Sequence, residues 1–268
     1  MGIRQVPEHG DIAAVLERRL ALDPVRNTVV GSALRSLATD AWCVAGTGPS
    51  DGAVAVRSDR IYPVLLTDGW HPDDLADLTR LVAAVPALNG ASGAIEPVAA
   101  VAGGAGLPVV QRVGQRLFRI DRLVEPQGVP GQAVVAGPTE RELLLRFGAA
   151  FAAEISGPSV VTESWVARVM SGEDRAWLWR DGGRFVSVAG RRPVVAGSAR
   201  IGPVYTPPEC RGRGYAAAVT AAATRDILGE AAVPVLFTDL ANPTSNGVYQ
   251  RLGYYAVADY AAVTFAPD

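Results

Sequence analysis

Apolar positions recur along this chain with two different periods, and the change of period marks the elements. Ile12, Val15, Leu16 and Leu20 share one helical face, and Val25, Val29 and Leu37 suggest a second, shorter one. The spacing predicts helix over 11–39, broken near Asp23-Pro24. Segments 41–45 and 53–57 read as strands around a Gly/Pro/Ser/Asp turn at 46–52, and 61–67 as a third strand. Pro72 then opens a helix with Leu75, Leu78, Leu81 and Val82 at helical spacing. Residues 86–110 are Ala, Gly, Pro and Val without a clear period, and 115–124 alternates as a strand.

Residues 125–138, EPQGVPGQAVVAGP, combine three Pro with three Gly and predict a domain boundary, dividing the chain into 1–130 and 131–268. Thr139 and Glu142 form a T-x-x-E capping box, and Leu143, Phe147, Phe151 and Ile155 follow at steps of four. A second helix is predicted over 160–170, then strands near 175–180, 184–190 and 194–206. Asp181-Gly182-Gly183 and residues 190–193 are the expected hairpin turns. A helix over 213–228, a strand over 235–240, a short helix from Pro243 to near Gly253 and a strand over 254–265 complete an order ααβββαβαβ.

Composition narrows the class. With 268 residues, 49% hydrophobic, the chain can bury one large or two moderate cores. A net charge of -2 argues against a general affinity for nucleic acid or anionic membrane. All 25 basic residues are Arg, so no side-chain amine is present to be acylated. Cys43 and Cys210 make no disulfide framework, and with only His9 and His71 as histidines no metal site is expected. The first residues hold no apolar core of about 7–15 residues. No uninterrupted run of about 18 apolar residues follows. The sixth position lacks the Ser or Thr of a myristoyl signal. A soluble, cytoplasmic protein without a membrane partner is expected.

The chemistry concentrates in 204–219, VYTPPECRGRGYAAAV: a strand, a Pro-rich exit, a glycine-rich turn and an Ala-rich helix. Such a turn frees backbone N–H groups, the helix N-terminus adds partial positive charge, and Gly212 and Gly214 permit close approach of a phosphate. Arg211 and Arg213 add charge, and the whole reads as a pyrophosphate cradle. It is not a dinucleotide fingerprint, since Ala217 stands at the third glycine, and without Lys it is not a Walker loop. Arg211, Gly214 and Ala216 match R-x-x-G-x-A, the signature of the GNAT superfamily of N-acetyltransferases, which the chain resembles. Downstream, 242–254 (NPTSNGVYQRLGY) resembles that family's N-x-x-(A/S)-x-x-x-Y-x-x-L-G-(F/Y) run. The matched region covers about 140–265.

The resemblance implies an α/β fold with a mixed, mostly antiparallel sheet flanked by helices, and acetyl-CoA as cosubstrate. It implies backbone contacts from Val204 and Thr206, flanking Tyr205, to the pantetheine arm. The diphosphate falls to Arg211, Gly212, Arg213, Gly214, Tyr215 and Ala216, a further cofactor contact to Asn242, and protonation of the leaving thiolate to Tyr249. The acceptor would be an amine on a small molecule, peptide or protein. The strand at 198–203 carries no carboxylate where a base is often found; Asp239 and Glu163 are alternative bases, and Arg200 could bind an acidic group on the acceptor. Surface or capping duty is the commoner fate of such carboxylates. Cys210 reads as a small loop residue, His71 as a helix-entry residue, and Trp165, Trp177 and Trp179 as core or cleft walls. Competing functions are a longer-chain acyltransferase resembling mycothiol synthase and a CoA-binding protein without turnover. The first half has a similar coarse order, so a second GNAT-like domain is expected there. Asp68 would repel a phosphate, leaving packing, cleft completion or homodimerisation as its work.

Overall fold

The computed structural model describes residues 2–155 and 162–266. They form two compact units, residues 2–116 with 258–266, and residues 117–155 with 162–257. The Pro/Gly-rich segment 125–138 therefore lies inside the second unit.

The first unit runs β1 (Ile3–Gln5), α1 (His9–Leu22), α2 (Thr28–Arg35), β2 (Trp42–Gly46), β3 (Val54–Arg57), β4 (Val64–Leu66), α3 (Leu75–Ala83), β5 (Gly90–Gly93) and α4 (Ile95–Gly104). The chain passes to the second unit within β6 (Val109–Arg119). There it forms β7 (Gln132–Val135), α5 (Arg141–Glu154), α6 (Thr162–Met170), β8 (Arg175–Asp181), β9 (Arg184–Arg191), β10 (Ser198–Tyr205), α7 (Tyr215–Gly229), β11 (Val233–Asp239) and α8 (Pro243–Arg251). It returns to the first unit within β12 (Tyr255–Phe265). Short 3-10 turns aside, β1 to β6 and β7 to β12 present the same order, βααβββαβαβ.

Strand order is β1-β2-β3-β4-β5-β12 in the first unit and β6-β11-β10-β9-β8-β7 in the second. The pairs β4/β5 and β10/β11 are parallel, each joined through a helix, while β1/β2, β2/β3, β3/β4, β7/β8, β8/β9, β9/β10 and β5/β12 are antiparallel. In the first unit Val44, Leu66, Leu78, Val82, Val98, Val263 and Phe265 form the core. In the second, α7 and α8 cover one set of strand side chains (Phe118, Ala199, Ile201, Leu236), and α5 and α6 cover another (Ala176, Leu178, Val188, Tyr205). Burial alternates along β8 and β10, the period the sequence displays, while β3 and most of β9 are buried throughout.

The predicted order ααβββαβαβ after residue 138 is present. Residues 160–161 of the predicted second helix lie outside the described residues. Segment 86–110 holds β5 and α4, whose small residues hide their period. A Cβ on Gly93 would stand 1.9 Å from the Leu66 carbonyl oxygen and one on Gly90 2.4 Å from that of Val263, so these are core strand positions chosen for close backbone approach. β7 arises inside the Pro/Gly segment by pairing Gln132–Val135 with β8. The Thr139/Glu142 capping box is not formed. Pro138 starts a 3-10 turn one step earlier, and Glu140 accepts the Gly137 N–H at 2.8 Å. The turn expected at 190–193 comes later, because β9 continues until Arg191 pairs with Ile201.

Candidate active site at the β10–α7 turn

The ladder between β10 and β11 runs from Ser198↔Val233 to Ile201↔Leu236 and stops, although β10 continues to Tyr205 and β11 to Asp239. A register shift against β9 between Ile201 and Val204 bends β10 at the same point. The Tyr205 carbonyl accepts the Ser187 hydroxyl on β9 at 3.0 Å, and Ser187 Oγ also meets Thr206 Oγ1 at 2.8 Å. Sequence patterning gave no hint of Ser187, a buried hydroxyl on the neighbouring strand.

Past β10, Pro208–Cys210 make a 3-10 turn, and Gly212 and Gly214 take left-handed φ of 76° and 81°. The first intrahelical bond of α7 runs from Ala218 N–H to the Gly214 carbonyl at 3.0 Å. Among the described residues, the amides of Gly212, Arg213, Gly214, Tyr215, Ala216 and Ala217 meet no backbone acceptor. Six amides without a backbone acceptor at the positive end of a 15-residue helix make a candidate anion site, and nothing would lie within 4 Å of a Cβ on Gly212. Room and donors both fit a diphosphate.

Side chains around the turn brace it. Arg211 Nε donates to the Thr206 carbonyl at 2.9 Å and Nη2 to Glu154 at 2.5 Å, so its guanidinium ties the loop to β10 and α5. Arg213 is exposed. Tyr215 is buried, and its hydroxyl donates to Asp181 Oδ2 at 2.5 Å, which raises the phenol's pKa. Asp181 had been legible only as a hairpin-turn residue. Cys210 is buried with Val186 and Tyr215 beneath the turn.

Across the parting strands stands α8. Asn242 caps it, accepting Ser245 N–H at 3.0 Å, and leaves its amide NH2 exposed. Asn246 Nδ2 donates to the carbonyls of Asp239 and Asn242 and Oδ1 accepts Thr238 Oγ1, fixing α8 to the end of β11. One turn further along, Tyr249 is 8% exposed, its ring tilted edge-on to Tyr254 with centroids 6.0 Å apart. No hydrogen bond of its hydroxyl is formed among the described residues. Desolvation pushes the phenol's pKa up to about 12.

The alternative bases separate. Asp239 Oδ1 accepts Ala241 N–H at 2.7 Å and serves the β11–α8 turn. Glu163 is exposed on α6. Arg200 is half-buried on β10, its carbonyl accepting Arg192 N–H. Trp165 is core, 1% exposed, while Trp177 and Trp179 are half-buried. In the first unit, His71 accepts Asp73 N–H through Nδ1 at 3.4 Å and caps the 3-10 turn at Pro72–Asp74, a helix-entry role. Among the described residues, no group of three His, Cys, Asp or Glu side chains could hold a metal, and no helix is long and apolar enough to cross a membrane.

Residues 190–263, from the end of β9 into β12, match the family model "FR47-like protein". Among solved structures, the chain is similar to a GCN5-related N-acetyltransferase from Sphaerobacter thermophilus (16% identity, 98% of this chain and 94% of that one, TM-score 0.63). It is also similar to a GCN5-related N-acetyltransferase from Kribbella flavida (20% identity, 82% and 88%, TM-score 0.57). A Drosophila protein aligns over 99% of this chain and 98% of its own at 13% identity, TM-score 0.69. No curated protein matches the chain in sequence. By fold, then, the chain is similar to GCN5-related N-acetyltransferases, and its residues 190–263 match the FR47-like model.

Proposed function

We propose that the protein transfers an acetyl group from acetyl-CoA to an amine by direct attack, at the site between β10, α7 and α8. The observation that carries this is the run of unpartnered amides at 212–217 where β10 leaves β11. The diphosphate sits on those amides, and the pantetheine arm lies along Val204 and Thr206, replacing the strand-to-strand bonds that β11 no longer makes. Backbone N–H groups near the bend polarise the thioester carbonyl. Tyr249 hydrogen-bonds the sulfur as it leaves. A phenol near pH 12 is fully protonated at neutral pH, yet a weaker acid than a thiol of about 8.5. Tyr249 therefore acts as a donor to developing thiolate charge more than as a complete proton source. The incoming amine reaches the site as the free base or loses its proton to solvent, since Asp239 serves the β11–α8 turn and Glu163 is solvent-exposed on α6.

The first half supports a duplicated layout with a single acetyl-CoA site. Its element order repeats that of the second, but β4 pairs with β5 through Leu66↔Gly93, and Ala94 N–H closes on the Leu66 carbonyl at 2.9 Å. No slot opens there. Asp68, at the position of the phosphate loop, is held by Arg19, which also binds Asn27 and the Gly52 carbonyl.

A CoA-binding protein without turnover is the second reading, favoured by the absence of a carboxylate on β10. Thiol release from acetyl-CoA across a broad panel of amines, compared between wild type and Tyr249→Phe, separates the two. Amine-dependent release that falls in the variant supports transfer. Tight acetyl-CoA binding with no release from any amine supports the second reading, and no binding at all removes both.

A further inference from the structure

We infer that the segment Glu125-Pro126-Gln127-Gly128-Val129-Pro130 is a strap that holds the glycine turn in its binding-ready shape, with Val129 as the positioning residue. This rests on the reading of that turn as the diphosphate site. The segment lies within the second unit and has no helix or strand of its own.

Both ends are tied. Val124 N–H donates to the Leu252 carbonyl at 2.8 Å, and the Glu125 carboxylate receives Arg225 Nε and Nη2 from α7 at 2.7 to 3.0 Å. At the far end Trp179 Nε1 donates to the Pro130 carbonyl at 2.8 Å, and Gly131 leads directly into β7. A Cβ on Gly131 would stand 2.4 Å from the Arg180 carbonyl oxygen, so that exit is seated on β8.

Between the ties, Val129 reaches the turn itself. A Cβ on Gly214 would stand 2.9 Å from Val129 Cγ2, and Val129 packs with Val186, Cys210 and Tyr215 under the loop. Between the ties the chain bends at Gly128, whose φ is 70°, and Pro126 and Pro130 fix φ at two further positions. The Glu125–Arg225 pair is exposed and contributes little stability, so its effect is on geometry. A segment tied at both ends and stiffened by two prolines limits where Gly214 can move. Two glycines with left-handed φ would otherwise leave the amides of 212–217 free to point elsewhere.

Val129→Gly, Val129→Ala and the conservative Val129→Ile are compared with wild type by backbone 15N relaxation and by titration calorimetry with acetyl-CoA and, as a diphosphate probe, ADP. The strap predicts lower amide order parameters confined to 212–217 in Val129→Gly, without change in the sheet. It predicts affinities for acetyl-CoA and ADP weakened together by about tenfold, an intermediate loss in Val129→Ala, and retention in Val129→Ile. Unchanged order parameters across 212–217 in Val129→Gly overturn the strap whether or not any ligand binds. Lowered order parameters with no wild-type affinity for acetyl-CoA or ADP keep the strap and remove the diphosphate reading. Weaker acetyl-CoA binding with unaltered ADP binding also overturns the proposal, because Val129 would then act elsewhere than on the diphosphate.

Discussion

In the proposed reaction Tyr249 and Gly214 act in opposite ways, one through a side chain and one through its lack. Tyr249→Phe removes a hydroxyl without a hydrogen-bond partner among the described residues, so acetyl-CoA affinity is expected to stay within about twofold while turnover falls by about 100-fold, the ordinary yield of a positioned proton donor. A calorimetric titration beside a thiol-release assay reads both. The raised pKa has a second consequence. A phenol near 10 when unfolded and about 12 when folded resists ionisation only in the native state. Its contribution is intact below pH 10 and is lost as pH rises from there through 12, by about 3 kcal/mol in total. Tyr249→Phe should therefore flatten part of the alkaline loss of stability measured by denaturant titration between pH 9 and about 11.5. Gly214→Ala puts a β-carbon on a left-handed residue and against Val129, and should abolish measurable acetyl-CoA binding with little change in the melting of the sheet.

At the scale of elements, α7 is held at both ends by charge as well as by its apolar face. Tyr215 reaches Asp181 at the N-terminus. Near the C-terminus Asp226 receives Arg191 at 2.8 Å and Arg175 at 2.5 Å, while Arg191 also pairs with Glu230. Burial alone would raise the Asp226 pKa, but the two guanidinium groups hold it below the usual carboxylate value. The stability this supplies is present above the unfolded value near 4 and lost as pH falls through that range. Thermal melts from pH 3 to 7 should show a smaller acid-side loss in Asp226→Asn than in wild type. Arg191→Ala leaves Asp226 with the half-exposed Arg175 and the Trp177 Nε1–H at 3.4 Å, and should cost about 3 kcal/mol at pH 7. An unchanged melting temperature in Arg191→Ala would show that the cluster is decorative.

At the scale of the whole molecule, the two units repeat one order of elements but differ at the corresponding strand pair. In the second unit the ladder between β10 and β11 ends early; in the first, β4 and β5 stay joined and the following loop holds an ion-paired Asp68. One acetyl-CoA per chain is therefore expected by calorimetry, and two equivalents would show that the first unit also binds. The element order was legible because helices and strands of 3.6 and 2 residue periods announce themselves, and the turn at 211–216 because few other chemistries need Arg, two Gly and Ala at that spacing. β5 and α4 were not, since small residues bury backbone against backbone and leave no hydrophobic period.

What the amino-acid order determined alone is local: the periods, the Pro and Gly stops, the glycine turn before an Ala-rich helix, and the placing of Asn242 and Tyr249 on one short helix. Those depend on neighbours within a few residues, where backbone sterics and side-chain spacing decide. Tertiary structure alone decided that β10 parts from β11 at Ile201, that Arg211 turns back on Thr206 and Glu154, that Asp181 and Ser187 hold the turn and its strand, and that Val129 meets Gly214. Each of those contacts joins residues far apart in the chain, and only the packing of sheet, helix and strap brings their atoms within reach.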